Sequence, residues 1–138
     1  TKMVLTKGNP YAHMVLRGGS NGANFGAAAV ADANERLTRS GLAPSILVDC
    51  SHGNSEKDYT RQSVAFWDIV QQRLGGNGNL QGCMLESHLS PGNQKLTDDP
   101  SQLRYGVSIT DACIGWDETE QLLSEAYEVL AGSANSVG

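Results

Sequence analysis

A β/α fold with parallel strands is what this sequence predicts, and three observations carry the prediction. Residues 46–48, Ile-Leu-Val, are continuously apolar rather than alternating, which suits a strand buried on both faces. Apolar runs at 13–16, 46–48 and 80–85 are each followed by a stretch with helical spacing, and each unit is long enough for a right-handed crossover. Finally, each run ends in residues able to do chemistry: Arg17 with two glycines, then Asp-Cys-Ser-His (49–52), then Glu-Ser-His (86–88). In β/α proteins the loops beyond the strand C-termini are where ligands and catalysis gather.

Composition narrows the function classes. A chain of 138 residues can build one core and not two. No apolar run approaches the roughly 18–20 residues of a membrane span, and no signal-peptide pattern opens the chain, so no membrane role is expected. Fifteen acidic against ten basic residues give a net charge of −5. Without a basic stripe this argues against nucleic acid, while a small phosphate-bearing ligand needs only one or two placed arginines. The three cysteines, Cys50, Cys83 and Cys113, are dispersed with no C-x-x-C spacing, which reads as reduced thiols in a cytoplasmic protein.

Taken in order, residues 2–7 form a short strand-like piece that ends at the turn signal Gly-Asn-Pro (8–10). The strand at 13–16 follows, with His13 at its start, the wrong end for chemistry, and Arg17-Gly-Gly at its finish. Glycines there admit close approach of backbone N–H groups, and an arginine can fork onto phosphate or carboxylate, although a surface arginine after a strand would look the same. A helix over about 24–40 has apolar positions at Ala27, Val30, Ala31 and Leu37, interrupted by Asn34, and stops at Gly41. After the central strand, Ser55 and Asp58 make an approximate capping box. A second helix buries Val64, Trp67, Val70 and Leu74 and ends in the glycine-rich 75–79.

The third strand, 80–85, leads into a long polar loop from Ser90 to Ser101, and long loops in compact domains are often functional. The segment 106–116 is rich in small residues and carries one carboxylate, Asp111. Asp117 and Glu120 open a last helix with a stripe at Leu122, Leu123, Ala126, Val129 and Leu130, and residues 132–138 read as a flexible tail. Arg17, His52 and Glu86 thus close successive strands, and Asp111 precedes the last helix, so the four can converge on one face. An isolated histidine in a loop is commonly only a hydrogen-bonding group; the convergence makes His52 a functional candidate.

At this point a family resemblance becomes specific. Leu-Arg-Gly-Gly (16–19), Asp-Cys-Ser-His-Gly-Asn-Ser (49–55), Met-Leu-Glu-Ser-His-Leu (84–89), Gly-Asn-Gln (92–94) and Ser-Ile-Thr-Asp-Ala-Cys-Ile-Gly-Trp (108–116) resemble, in this order, the C-terminal part of type I 3-deoxy-D-arabino-heptulosonate-7-phosphate (DAHP) synthases. The resemblance implies a (β/α)8 barrel, which takes about 250 residues and seldom fewer than about 200. Residues 1–138 would then be a single partial domain, the sixth to eighth strand-helix units, with 1–10 as one strand and turn of an inserted hairpin. The remainder of the barrel becomes an expected partner, because three parallel strands leave unpaired edges.

The same resemblance implies the site. Arg17 matches the arginine that grips the phosphate of phosphoenolpyruvate, and His52, Glu86 and Asp111 match three ligands of a divalent metal. His52 and Asp111 also fall at substrate-binding positions. One imidazole and two carboxylates suit Mn, Fe, Co or Zn and select poorly among them; the family's fourth ligand, a cysteine, belongs to the part not present. Cys50 has no metal role by this match and reads as packing, and for His88 a supporting role behind the ligands is conceivable.

The reaction implied is the condensation of phosphoenolpyruvate with erythrose 4-phosphate, the first step of the shikimate pathway to aromatic amino acids. Val4 matches a hairpin position lining a pocket for an inhibitory aromatic amino acid, and a homo-oligomer is the expected assembly. Two other readings compete: the related 3-deoxy-octulosonate-8-phosphate synthases, whose motifs differ at 16–19 and 108–116, and a catalytically incomplete fragment or assembly module.

Overall fold

The structure, a computed structural model, describes residues 3–9 and 11–134. Three parallel strands, β1 (Met14–Leu16), β2 (Ile46–Asp49) and β3 (Leu80–Met84), form one sheet in that spatial order. The helices are α1 (Ala27–Arg39), α2 (Gln62–Leu74) and α3 (Trp116–Ala134). β2 is the central strand, paired on both edges; Ile46 and Val48 on one face are wholly buried, while Leu47 on the other face is half-buried, so the expected burial on both faces is only partly met. Register runs Met14 to Ile46 and Leu16 to Val48 on one side, and Leu47 to Gly82 and Asp49 to Met84 on the other. Gln81 is the extra residue at the irregularity between Ile46 and Leu47.

Both crossover helices end in the way their glycines suggest. Gly41 takes a φ of 70°, with its N–H donating to Thr38 O and the Leu42 N–H to Leu37 O, so the last carbonyls of α1 find partners as the chain turns toward β2. Gly76, at φ 90°, closes α2 by the same pattern. Val30, Ala33 and Leu37 of α1 pack with Ala65, Phe66, Ile69 and Val70 of α2 and with Ile114, Leu122 and Ala126 around the buried strand residues.

Several helical faces differ from the periodic expectation. In α1, Ala27 and Ala31 are exposed and Ala33 is buried instead, while the half-buried Asn34 keeps its carboxamide oxygen unpartnered. In α2, Val64 faces out and Trp67 is only partly covered, edge-on to Phe66. The buried stripe there is 62, 65, 66, 69 and 70, beginning with the polar Gln62. The rotation follows from the start of the helix. Ser55 caps nothing, because its hydroxyl donates to His52 O, and Asp58 caps a short 3-10 turn, Tyr59–Arg61, by accepting from Thr60 N. In α3, Leu122 and Ala126 are buried but Leu123, Val129 and Leu130 remain exposed to differing degrees.

Both ends of the chain depart from the sequence reading. Residues 3–9 form no strand, and Met3, Val4 and Leu5 are 87%, 80% and 86% exposed; a strand needs a paired neighbour to satisfy its backbone, and none is present among the described residues. The turn at Asn9 does form, its side chain accepting from Tyr11 N. The helix α3 continues through Gly132 to Ala134 where a tail was expected; the other tail positions, 135–138, lie outside the described residues, as do Lys2 and Pro10. No helix among the described residues is long and apolar enough to cross a membrane.

Candidate metal and phosphate site

The C-terminal ends of the three strands meet around one hollow of about 410 Å³, whose walls include Arg17, Gly18, His52, Lys57, Glu86 and Asp111. The β1 and β2 ends touch backbone to backbone. A Cβ on Gly18, which also has a φ of 80°, would lie 2.5 Å from the Gly53 carbonyl carbon, so only glycine fits there. Gly53 N donates to Arg17 O at 3.1 Å. The buried Asn54 completes the join: its amide donates to Leu16 O and Asp49 O, and its oxygen accepts from Asn24 N. Asn24 in turn accepts from Gly18 N.

His52 stands just beyond β2 with a left-handed φ of 52°. Its Nδ1 lies 2.7 Å from Asp49 Oδ2 and 2.8 Å from Ser51 Oγ. Nε2 points the other way, 3.5 Å from Glu86 Oε1 and 3.7 Å from Asp111 Oδ2. Glu86 is fixed through its main chain by Gln62 of α2. The carboxamide of Gln62 donates to Glu86 O at 3.0 Å and accepts from Glu86 N at 2.8 Å, and Gln62 is 0% exposed.

Asp111 arrives on the loop 106–116, which docks onto the end of β3 through Ile114 N to Glu86 O and His88 N to Ile114 O. The Gly-Asn-Gln stretch holds that loop from the far side. Gly92 and Cys113 exchange both backbone bonds, Asn93 donates to Thr110 O, and the Gln94 amide donates to Arg104 O and Val107 O.

One ligand atom each from His52, Glu86 and Asp111 lies within 4.8 Å of the others. Two donors about 2.1 Å from a shared ion stand at most about 4.2 Å apart, so the separations of 3.5 and 3.7 Å from His52 fit such an ion. One imidazole and two carboxylates are a donor set for a borderline divalent cation. Partial burial pushes the Glu86 carboxyl above its usual range, the Asp111 and Asp49 carboxylates push the same way, and His52 and Arg17 only partly offset them.

Arg17, His52, Glu86 and Asp111 are therefore brought to one hollow, as their positions in the sequence suggest. Arg17 is exposed and makes no ion pair among the described residues. His88 is not part of the site: it is exposed, and its Nδ1 accepts from the next backbone N–H. Val4 lines neither this hollow nor the second one, near His13 and Met14. Cys50 is buried beside Cys83, and the hydrogen bond to Cys83 together with burial holds its thiol well above the ordinary range, as a packing residue requires.

Sequence reasoning assigned no role to Asn54, Gln62 or Lys57, and counted Asp49 among the reactive strand-end residues without a role of its own. Asp49 carried a signal, a carboxylate ending a buried strand three residues before His52. Gln62 carried none, being one of many polar helix residues until the fold buries it. Lys57 has a left-handed φ of 65° and lines the hollow, and the neighbouring Glu56 pairs with Arg61 rather than with it.

Comparison with known proteins identifies the family. The family model described as DAHP synthetase I family matches residues 1–124. The chain is 45% identical over 130 residues to the Tyr-sensitive phospho-2-dehydro-3-deoxyheptonate aldolase of Escherichia coli K12, covering 94% of this chain and 36% of that one. Against the Tyr-sensitive protein of Enterobacter agglomerans it is likewise 45% identical, covering 61% of that sequence. The solved structure of phospho-2-dehydro-3-deoxyheptonate aldolase from Francisella tularensis SCHU S4 superposes with a TM-score of 0.81 at 40% identity, over 89% of this chain and 35% of that one. The chain thus spans little more than a third of most of these relatives, but five ordered motifs, the strand-end site and the family match coincide, and it belongs to the DAHP synthetase I family.

Proposed function

We propose that this chain is the C-terminal part, the sixth to eighth strand-helix units, of a (β/α)8 barrel. In this reading the whole polypeptide condenses phosphoenolpyruvate with erythrose 4-phosphate to DAHP and inorganic phosphate. The observation that carries it is the convergence of His52, Glu86 and Asp111 within 4.8 Å in the hollow that Arg17 also lines. The relatives' names supply the reaction, and the unpaired edge of β1 supplies the argument that further strands complete the sheet.

The three side chains would hold a divalent ion, Mn, Fe, Co or Zn, whose bound charge would stabilise the negative charge developing on the aldehyde oxygen. Arg17 forks onto the phosphate of phosphoenolpyruvate and so orients it. C3 of phosphoenolpyruvate then attacks the aldehyde carbon, water adds at C2, and phosphate leaves with C–O cleavage. Arg17 stays on the phosphate as its charge grows, which favours departure. His52 and Asp111 keep the aldehyde end of the second substrate beside this carbon. The remaining cationic groups and the family's cysteine ligand belong to the other part of the barrel. A cytoplasmic homo-oligomer answering to an aromatic amino acid is the accompanying expectation, and the names of Tyr-sensitive and Phe-sensitive relatives favour such an effector.

The test uses the whole polypeptide that contains this chain. Removing metal with a chelator should abolish consumption of phosphoenolpyruvate in the presence of erythrose 4-phosphate, and Mn2+ should restore it. His52→Ala should lower the restored rate at least about 10-fold and weaken metal binding. Condensation that proceeds undiminished after complete chelation would sink the metal assignment.

A further inference from the structure

Only one ring nitrogen of His52 faces the acidic pair, and the groups around the other one are fully specified. Asp49, 2% exposed, has both carboxylate oxygens engaged. Oδ1 accepts the Ser51 N–H at 2.9 Å and the Ser51 hydroxyl, and Oδ2 lies 2.7 Å from His52 Nδ1. Because the single hydroxyl proton of Ser51 goes to Asp49, its Oγ, 2.8 Å from Nδ1, can only accept from the ring. Two acceptors therefore converge on Nδ1, and the proton belongs there.

We infer that Asp49 is a positioning residue for the metal: by taking the Nδ1 proton it holds His52 in the tautomer whose Nε2 lone pair faces Glu86 and Asp111. This rests on the reading of the cluster as a divalent-cation site. The backbone reinforces the arrangement, since the left-handed φ of His52 aims the ring and the Asn54 amide pins Asp49 O at 2.8 Å. A lone pair 3.5 and 3.7 Å from two carboxylate oxygens is repulsive unless a cation lies among them.

The experiment uses the whole polypeptide with 15N-labelled histidine and the isosteric Asp49→Asn variant. In Zn2+-loaded wild type, His52 should carry its proton on Nδ1, with Nε2 shifted by the ion. Asp49→Asn can present its amide N–H to Nδ1 and so favour the wrong tautomer. It should weaken Mn2+ binding by about 10–100-fold, with an unfolding transition still cooperative, whereas Ser51→Ala should weaken it less. An unchanged Mn2+ dissociation constant in folded Asp49→Asn protein would overturn the inference, as would a Zn2+-loaded wild-type ring with its proton on Nε2. If Asp49→Asn does not fold, the wild-type spectrum decides alone. If the wild type binds neither Mn2+ nor Zn2+, the metal reading fails and the inference falls with it, whereas metal binding with the His52 proton on Nε2 overturns the inference alone.

Discussion

Arg17 and Lys57 are the two cations in the wall of the hollow, and they differ in what their shapes can do. A guanidinium presents a planar fork that matches two phosphate oxygens at once, whereas an ammonium acts as a point charge on a flexible stem. Arg17→Lys therefore keeps the charge and loses one of two charge-assisted hydrogen bonds, each worth about 1.5–3 kcal/mol. Steady-state kinetics of the whole polypeptide should show KM for phosphoenolpyruvate rising at least about 10-fold. An unaltered KM would remove Arg17 from the phosphate site. Arg17, His52 and Glu86 were legible in the sequence because each follows a strand end, which can be read from an apolar run, and Asp111 because it is the one carboxylate of the loop before the last helix. Asp49 and Gln62 were less legible, because their contribution is to hold a ligand residue, and that depends on contacts at one turn's remove or across to another helix.

At the scale of elements, α2 does more than cover the sheet. Its first residue, Gln62, is buried and offers the carboxamide as a two-sided clamp on the Glu86 backbone. Gln62→Leu keeps the volume but leaves the Glu86 N–H without that acceptor, while Glu86 O retains the Ile114 N–H. The expected cost is about 1–3 kcal/mol in urea unfolding of the whole polypeptide, accompanied by weaker Mn2+ binding because Glu86 is released. Equal stability and equal metal affinity would show that the clamp positions nothing. This clamp also explains the rotation of α2 relative to the apolar pattern. A helix read from Val64, Trp67, Val70 and Leu74 leaves Gln62 outside, whereas the observed face turns to bury it, at the cost of exposing Val64. Hydrophobic spacing finds a helix, but satisfaction of buried backbone groups helps decide which side of it faces inward.

At the scale of the whole molecule, the exposed apolar residues 3–5, the open edge of β1 and the uncovered Leu123 and Tyr127 of α3 leave apolar surface without a neighbour among the described residues. Residues 3–9 form no strand and Val4 lines neither hollow; the hairpin strand proposed for this segment would need a partner strand to form. If that partner lies elsewhere in the polypeptide, the Val4 position can be tested there by titrating phenylalanine, tyrosine and tryptophan with and without Val4→Trp. The substitution should raise the inhibition constant of the effective amino acid severalfold, since a ligand acts only through its different affinity for two states. An unmoved inhibition constant would exclude Val4 from the effector site.

The sequence by itself determined the alternation of strands and helices, the apolar core of β2, the stops at Gly41 and in the glycine-rich 75–79 and the strand-end positions of most of the reactive residues. These follow from periodicity and backbone conformational preference, which act over a few neighbouring residues. Only the tertiary structure decided that Asp49 holds His52, that Gln62 holds Glu86, that Asn54 ties two loops together and that residues 3–9 make no strand. Each of those depends on a hydrogen-bonding group finding, or lacking, a partner that the packed chain must bring to it, and local pattern does not record where that partner will be.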